Sequence, residues 1–181
     1  MLLIPKEPEV LKLPIGRLWN GERCPDSRLS ALIEINTQQN GLIISTTTPI
    51  LPGLSYNSAV VGSRLDAADN LDRLEIFFVE EGGEYLVVVL TVNGQYLVSG
   101  FSEPHLVATN FPETPFFINH CKEKDRIKNQ ILIPWDCFPA NLSALNTFLI
   151  VGKQILAYYP IVGSEPDLHQ PQNFPFARLK N

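Results

Sequence analysis

The residues of this 181-residue chain that are best suited to chemistry lie in one short segment near its C-terminus. The sequence Pro166-Asp-Leu-His-Gln-Pro171 brings together Asp167, His169 and Gln170. A carboxylate, an imidazole and an amide can between them donate and accept several hydrogen bonds, as a polar ligand requires. Short apolar runs of β type come before the segment, at 131–136, 145–152 and 156–160. The pattern therefore predicts a ligand-binding loop that a rigid sheet presents.

A second group of acidic side chains lies upstream, where a polar stretch leads into an apolar one. Asp69, Asp72 and Glu75 are spaced three residues apart, and Asp66 precedes them at the same spacing. Such oxygen ligands suit calcium, but the stretch lacks the alternation and the glycine of an EF-hand loop. The sequence favours the alternative, a solvated acidic loop, so we predict no metal site. We keep Asp69, Asp72 and Glu75 as candidate ligand-binding residues.

Glu75 differs from the other acidic residues because it lies inside a predicted strand, 73–79. Alternate side chains of a strand face opposite ways, so Glu75 shares a face with Phe77 and Val79. A carboxylate among apolar neighbours is stable only when another group pairs with it. We therefore expect Glu75 to be a buried carboxylate with a partner.

Asp167 and His169 could also begin general-base chemistry, but no nucleophile with a recognisable setting accompanies them. No serine lies in a G-x-S-x-G turn, and no cysteine has a catalytic signature around it. The structural alternative, that the pair caps and pins the C-terminal loop, is favoured over catalysis. We predict that the protein is not an enzyme and has no catalytic residues.

Turn signals divide most of the chain into short runs of β type. The turns are Asn40-Gly41, Gly82-Gly83, Asn93-Gly94 and the charged Lys122-Glu-Lys-Asp125. They predict a hairpin over 31–48, a three-stranded meander over 73–101 and a second hairpin over 115–133. Residues 49–70 have no clear period and predict an extended surface loop. No segment has a helical period of useful length. The prediction is all-β, a two-sheet antiparallel β-sandwich that forms a single domain over 1–181.

Two finer expectations concern the segment 134–144. It can hold one short helical turn, with Asn141 or Ser143 as its N-terminal cap. Trp135 lies between Pro134 and Phe138, a context that predicts a buried lid at the end of the sandwich.

Composition excludes several classes of function. The net charge of −5 and the scattered Lys and Arg residues argue against nucleic acid as a partner. No uncharged run approaches the length of a signal segment or a membrane span, so we expect a cytoplasmic protein that does not bind a membrane. Cys24, Cys121 and Cys137 lack disulfide or zinc spacing and are expected to be reduced thiols.

Several motifs resemble, in order and spacing, an uncharacterised family of DOMON-like proteins. They are Asn70-Leu-Asp-Arg-Leu-Glu-Ile-Phe-Phe78, Glu84-Tyr-Leu-Val-Val-Val-Leu90, Gly94-Gln-Tyr-Leu-Val98, Pro134-Trp-Asp136, residues 139–148 and Pro166-Asp-Leu-His169. That family is in turn similar to the family-9 carbohydrate-binding modules, whose β-sandwich binds the ends of sugars. The resemblance covers residues 70–179 and implies the same fold. It also implies that Glu75, Asp167 and His169 occupy polar positions of the ligand site.

The resemblance implies ligands of two kinds. In the sugar-binding modules tryptophan rings stack on the sugar, whereas this chain has Asp69-Asn-Leu71 and Leu168 at those positions. We expect a non-catalytic module that binds a small polar ligand, with carbohydrate the class implied, or alternatively a structural or protein-interaction domain that has lost its ligand. Related DOMON domains bind haem through methionine and histidine. Here the only methionine is Met1, and no motif links His105, His120 and His169, so we predict no cofactor.

Overall fold

The computed structural model describes residues 1–50, 60–68, 70–109, 111–112 and 115–180. The strands are β1 (Leu2–Ile4), β2 (Leu11–Ile15), β3 (Arg17–Leu18), β4 (Ala31–Gln38), β5 (Gly41–Pro49), β6 (Arg73–Glu80), β7 (Tyr85–Thr91), β8 (Tyr96–Glu103), β9 (Leu106–Val107), β10 (Ile118–Lys122), β11 (Arg126–Pro134), β12 (Leu142–Val151), β13 (Gln154–Ala157) and β14 (Ala177–Leu179). Two short 3₁₀ turns span Trp135–Cys137 and Pro171–Asn173. No helix among these residues has the length and apolar character needed to cross a membrane.

The strands form two antiparallel sheets, which confirms the predicted β-sandwich. One sheet has five strands in the order β10-β11-β5-β4-β2, and the other has seven in the order β3-β13-β12-β6-β7-β8-β9. β1 and β14 form a separate parallel pair that joins the two ends of the chain. Both predicted hairpins and the meander β6-β7-β8 are present with neighbouring strands paired.

Glycine is required at the turn between β7 and β8. Gly94 has a φ of +76°, a left-handed conformation in which an L side chain is strained. A Cβ at Gly94 would also lie 2.8 Å from Nδ1 of His120 on β10, so the turn has room only for hydrogen. The turn therefore fixes the meander against the other sheet.

The alternation predicted for β6 separates two hydrophobic clusters. Leu74, Ile76 and Phe78 point into the main core between the sheets, which also contains Leu13, Ile33, Ile35, Leu42, Ile44, Val88, Ile131, Ile133 and Leu145. Phe77 points the other way, into a second cluster that covers the outer face of the seven-stranded sheet. That outer cluster contains Phe148, Leu168 and Phe174, so the C-terminal loop covers the sheet face.

One finer expectation was wrong, one was right only in part, and one falls partly outside the described residues. Trp135 is only half buried, because its indole N–H donates to the carbonyl of Gln39 at 3.0 Å near the surface. The expected helical turn is present at Trp135–Cys137, but it follows Pro134 and has no side-chain cap, because Asn141 and Ser143 come after it in the chain. The Ser143 hydroxyl donates instead to the carbonyl of Val79 at 3.1 Å. Of the predicted surface loop, residues 51–59 and Asp69 lie outside the described residues.

Candidate functional site

The segment 166–171 is anchored to the outer cluster by one apolar side chain. Leu168 is 8% exposed and packs in the cluster that contains Phe77 and Phe174. Burial of a leucine here stabilises the loop by roughly 2 kcal/mol. Asp167, which precedes it, is exposed, and His169, which follows it, is half buried. The loop is therefore fixed at its centre and presents polar groups on both sides.

His169 lies among aromatic rings at the end of β6 and β7. Its ring centroid is 5.5 Å from Phe77 and 5.0 Å from Phe101. Its Nδ1 is 2.7 Å from the hydroxyl of Tyr85. That hydroxyl also accepts the backbone N–H of His105 at 3.3 Å. Burial raises the pKa of Tyr85, so the phenol stays protonated and able to donate.

Asp167 lies next to a second histidine that comes from a different loop. Its Oδ1 and Oδ2 atoms are 3.2 and 3.3 Å from Nε2 of His105, and Oδ1 accepts the backbone N–H of His169 at 2.9 Å. Partial burial alone would raise the pKa of Asp167, but these hydrogen bonds and the charge of His105 lower it. Asp167 is therefore a carboxylate at neutral pH.

The two imidazoles are in contact, with ring centroids 4.5 Å apart. Burial is the main cause that lowers the pKa of His169, a charge on His105 lowers it further, and Asp167 opposes both. His169 is therefore mostly neutral at pH 7. We call Tyr85, His105, Asp167 and His169 the histidine cluster.

Sequence reasoning assigned Asp167 and His169 but missed His105 and Tyr85. His105 has a φ of 64°, which is uncommon for a residue other than glycine. Only the fold shows this conformation, because no local motif marks it. Tyr85 begins an otherwise apolar strand, and no local motif marks it as part of a site. Gln170 is half buried, and its Oε1 accepts the side-chain N–H of Asn173 at 2.8 Å.

A groove of about 540 Å³ adjoins the histidine cluster. Glu103 and Pro104, just before His105, line one wall, and Pro171–Asn173, just after Gln170, line another. Phe176 lines it too, with 74% of its surface exposed. We call this the stacking groove, because it combines an exposed flat ring with carboxylate, amide and hydroxyl groups.

The exposed ring of Phe176 stands on a backbone that is held in place. Its carbonyl accepts the N–H of Leu2 at 2.7 Å, and the residue forms an antiparallel bridge with Ala144. The neighbouring carbonyl of Pro175 accepts the N–H of Leu145 at 3.1 Å. An apolar ring on a fixed backbone keeps its position without being part of the core.

Asp72 and Glu75 lie nearer the other end of β6. Oδ1 of Asp72 accepts the N–H of Gly152, in the turn between β12 and β13, at 2.7 Å. Oε1 of Glu75 accepts from Nε of Arg73 at 2.6 Å, which confirms the expected buried carboxylate with a partner. The hydrogen bond of Asp72 ties the start of β6 to the β12–β13 turn, whereas that of Glu75 lies within β6. Asp69 lies outside the described residues.

No family model matches this sequence. Among curated proteins it is similar to "UPF0462 protein C4orf33 homolog" of Rattus norvegicus, with 27% identity over 167 residues that cover 90% of this chain and 82% of the relative. It is also similar to "UPF0462 protein C4orf33" of Homo sapiens, with 25% identity over 86% of this chain and 81% of the relative.

Two solved structures resemble the described fold. A "putative carbohydrate-binding protein" from Bacteroides uniformis has a TM-score of 0.66 at 14% identity and covers 94% of this chain and 87% of its own. A family-9 carbohydrate-binding module from Caldicellulosiruptor kristjanssonii, in complex with cellotriose, has a TM-score of 0.59 at 10% identity and covers 99% and 93%. The likeness is one of fold. It supports the resemblance to family-9 modules that the motifs indicated.

The residues considered as metal or haem ligands lie in different surroundings. Among them, no three His, Cys, Asp or Glu side chains are grouped as ligands for a metal ion. His105 and His169 are together, but His120 lies on β10, where its Nδ1 is 2.7 Å from Oδ1 of Asn129. At the position of the second stacking ring, Leu168 is buried and cannot contact a ligand face.

Proposed function

We propose that this chain is a non-catalytic module that binds a small polar ligand, with carbohydrate as the ligand class. The observation that carries the proposal is the stacking groove, in which the exposed ring of Phe176 faces polar side chains beside the histidine cluster. A flat aromatic ring can stack on the apolar face of a pyranose, and polar groups can read its hydroxyls. Phe176 would take the place of the tryptophans that this chain lacks.

Polar contacts would come from the walls of the groove, where Glu103 supplies a carboxylate and Gln172 and Asn173 supply amides. The adjoining histidine cluster would add the Asp167 carboxylate and the His105 imidazole, which can donate or accept according to its protonation. His169 positions the cluster through Tyr85. We propose that Gln170 acts through Asn173, which it holds by a hydrogen bond, while Asp72 and Glu75 fix β6 under the site.

The fold supports the ligand class, because the solved neighbours are described as carbohydrate-binding. We propose a DOMON-like module that occupies residues 1–181 as one domain and works in the cytoplasm, where its free cysteines would stay reduced.

Calorimetric titration with cellotriose and a panel of other oligosaccharides tests the proposal. We expect at least one sugar to bind and Phe176→Ala to abolish detectable binding. Phe117→Ala is the matched control, because Phe117 is also an exposed phenylalanine, at 89%, but lies beside the other sheet. Equal loss in both variants, or no binding by any sugar, would overturn the proposal.

The alternative function, a structural or protein-interaction domain, is supported by the filled outer face of the seven-stranded sheet. Phe77 and Phe148 are fully buried there, and Leu168 closes the cluster above them. If no sugar binds and Phe176→Ala changes no ligand titration, this alternative becomes the better explanation. Heteronuclear NMR of the wild-type chain with each sugar would show which residues respond.

A further inference from the structure

A second groove, of about 680 Å³, is formed at the ends of β7 and β8 and is not used by the proposed sugar site. Its walls combine polar groups with the apolar side chains of Phe101, Leu106, Val107, Phe111 and Phe138. Its rim carries the carboxylates of Glu80, Glu84 and Asp136. We call it the acidic groove. It adjoins the stacking groove at Glu80 and Ser102, but Glu84 and Asp136 line only the acidic one.

The rim carboxylates have no cationic partner among the described residues. The ion pairs among the described residues involve other acidic side chains, such as Glu9 with Lys180 and Glu123 with Lys128. Glu84 and Asp136 are exposed, and the described lining of the groove contains no Lys, Arg or His. Three carboxylates on the rim of one groove repel one another, and a cation bound there would relieve that repulsion.

The sequence separates charge in the same region. Between Arg73 and Lys122 there is no Lys or Arg. The same stretch contains the acidic residues Glu75, Glu80, Glu81, Glu84, Glu103 and Glu113. Of these, Glu80, Glu81 and Glu84 lie at the turn between β6 and β7 and Glu103 lies at the end of β8, so four carboxylates are carried by the strand ends beside the groove. The field of such a surface steers and holds a cationic partner.

From this charge complementarity we propose that the acidic groove docks a basic segment of a partner protein, one with lysines next to aliphatic residues. The aliphatic side chains would cover Leu106 and Val107, which are 55% and 56% exposed, and the lysines would meet Glu84 and Asp136. β9 is the edge strand of its sheet, and a sheet edge offers backbone groups to an added extended chain.

Other occupants fit the groove less well. A polyamine would meet the carboxylates but gain little from Leu106 and Val107, because its charged groups need to stay hydrated. A second copy of this chain would bring another net charge of −5 to an anionic surface. Only a partner that is both basic and apolar matches both properties of the groove.

The test uses a fluorescein-labelled peptide of alternating lysine and valine, titrated with the full chain and followed by anisotropy at low and at physiological salt. We expect the double variant Glu84→Gln, Asp136→Asn to weaken binding about fivefold. The matched control is Glu22→Gln, Glu165→Gln, which changes the net charge equally at exposed positions away from the groove. The control should bind like the wild type.

Two further measurements decide between occupants. Leu106→Ser should weaken peptide binding but leave spermine binding unchanged. Phe176→Ala, which removes the ring proposed to stack on a sugar, should leave peptide binding unchanged. The proposal is overturned if the two double variants weaken the peptide equally, if Leu106→Ser has no effect on it, or if no peptide binding is measured. Because Phe176 and Glu84 line different grooves, failure of this proposal is distinguishable from failure of the sugar site.

Discussion

Two pairs of basic and acidic side chains on the seven-stranded half of the sandwich differ in how much of each is open to solvent. In the pair Arg73–Glu75 the side chains are 13% and 10% exposed and 2.6 Å apart. In the pair His105–Asp167 they are 61% and 46% exposed and 3.2 Å apart. In the first pair Arg73 donates to Glu75 and to the carbonyl of Leu71, away from solvent, whereas the second pair is open to a ligand.

The surroundings of Glu75 and Asp167, and not their residue type, determine the roles of the two carboxylates. A pair that is taken from water is costly unless both members stay together, so Arg73 and Glu75 depend on each other. An exposed pair contributes little to stability, because water solvates each member nearly as well. Asp167 and His105 can therefore exchange partners at small cost, which is what ligand binding requires.

We call Arg73–Glu75 the closed pair and His105–Asp167 the open pair. The greatest loss of stability is expected when the closed pair is broken. Arg73→Met leaves the Glu75 carboxylate buried without its charged partner and should lower the free energy of unfolding by about 3 kcal/mol. Urea unfolding followed by tryptophan fluorescence measures it. Arg126→Met is the control, because its pair with Asp125 is exposed. An exposed pair of this kind should be worth at most about 0.5 kcal/mol. Similar losses in the two variants would contradict the contrast between closed and open pairs.

The next effect concerns Asp72, the carboxylate that directly precedes Arg73 and accepts the N–H of Gly152. Asp72→Ala leaves that N–H without its acceptor and should cost about 2 kcal/mol of unfolding free energy. Asp72→Asn keeps an oxygen at the same position and should cost less. Thermal unfolding compares the two variants directly. If asparagine is as damaging as alanine, the hydrogen bond to Gly152 is not what Asp72 contributes.

The fold was predictable because it rests on local patterns. Alternation in β6 and the dipeptides Asn40-Gly41 and Asn93-Gly94 act over a few residues, and the strands that they predicted are paired as expected. The first turn lies one residue earlier than predicted, at Gln39-Asn40, because Gly41 already pairs with Gln38. The short strands β3, β9 and β14 were not predicted, because two or three residues are too few to show a period. Pairing with a neighbouring strand, and not their own sequence, makes them strands.

The candidate site was predictable only in part, because half of it depends on contacts between distant segments. Asp167 and His169 are close in sequence and could be chosen together. The fold brings His105, Tyr85 and Phe176 to the same region. His105 is 62 residues from Asp167 in the sequence, and Tyr85 is 84 residues from His169. The prediction that Trp135 is buried was wrong for a related reason, since the carbonyl that accepts its indole N–H belongs to Gln39, in the β4–β5 turn.

A smaller effect is the pH dependence of stability that comes from the histidine cluster. The folded state holds the pKa of His169 below its ordinary value of 6.5, so the unfolded state binds more protons as the pH falls through this window. Stability should therefore decrease from pH 6.5 downward until the lowered pKa is passed. The effect should be smaller than that of Asp72→Ala, because the ring is only half buried and Asp167 favours its charged form. Urea unfolding at a series of pH values measures the slope.

His169→Gln is the variant that assigns this slope. It removes the titrating ring and should flatten the decrease just below pH 6.5. Asp167 contributes in a separate window, because its lowered pKa adds stability above its ordinary value of 3.8 that is lost at more acidic pH. A slope in the histidine window that is unchanged in His169→Gln would show that another group is responsible.

The smallest effect on stability, and the sharpest test of the open pair, is expected at His105. Glycine accepts the φ of 64° that His105 adopts, so relief of backbone strain offsets the entropy that glycine loses on folding. His105→Gly should leave the free energy of unfolding within about 0.5 kcal/mol of the wild type. It should nevertheless weaken sugar binding about fivefold, because one hydrogen-bonding side chain is gone. Arg73→Met should do the reverse and leave the Kd of the folded fraction unchanged. If His105→Gly unfolds the protein, or if Arg73→Met alone reduces affinity, the closed pair and the open pair have exchanged the roles assigned to them.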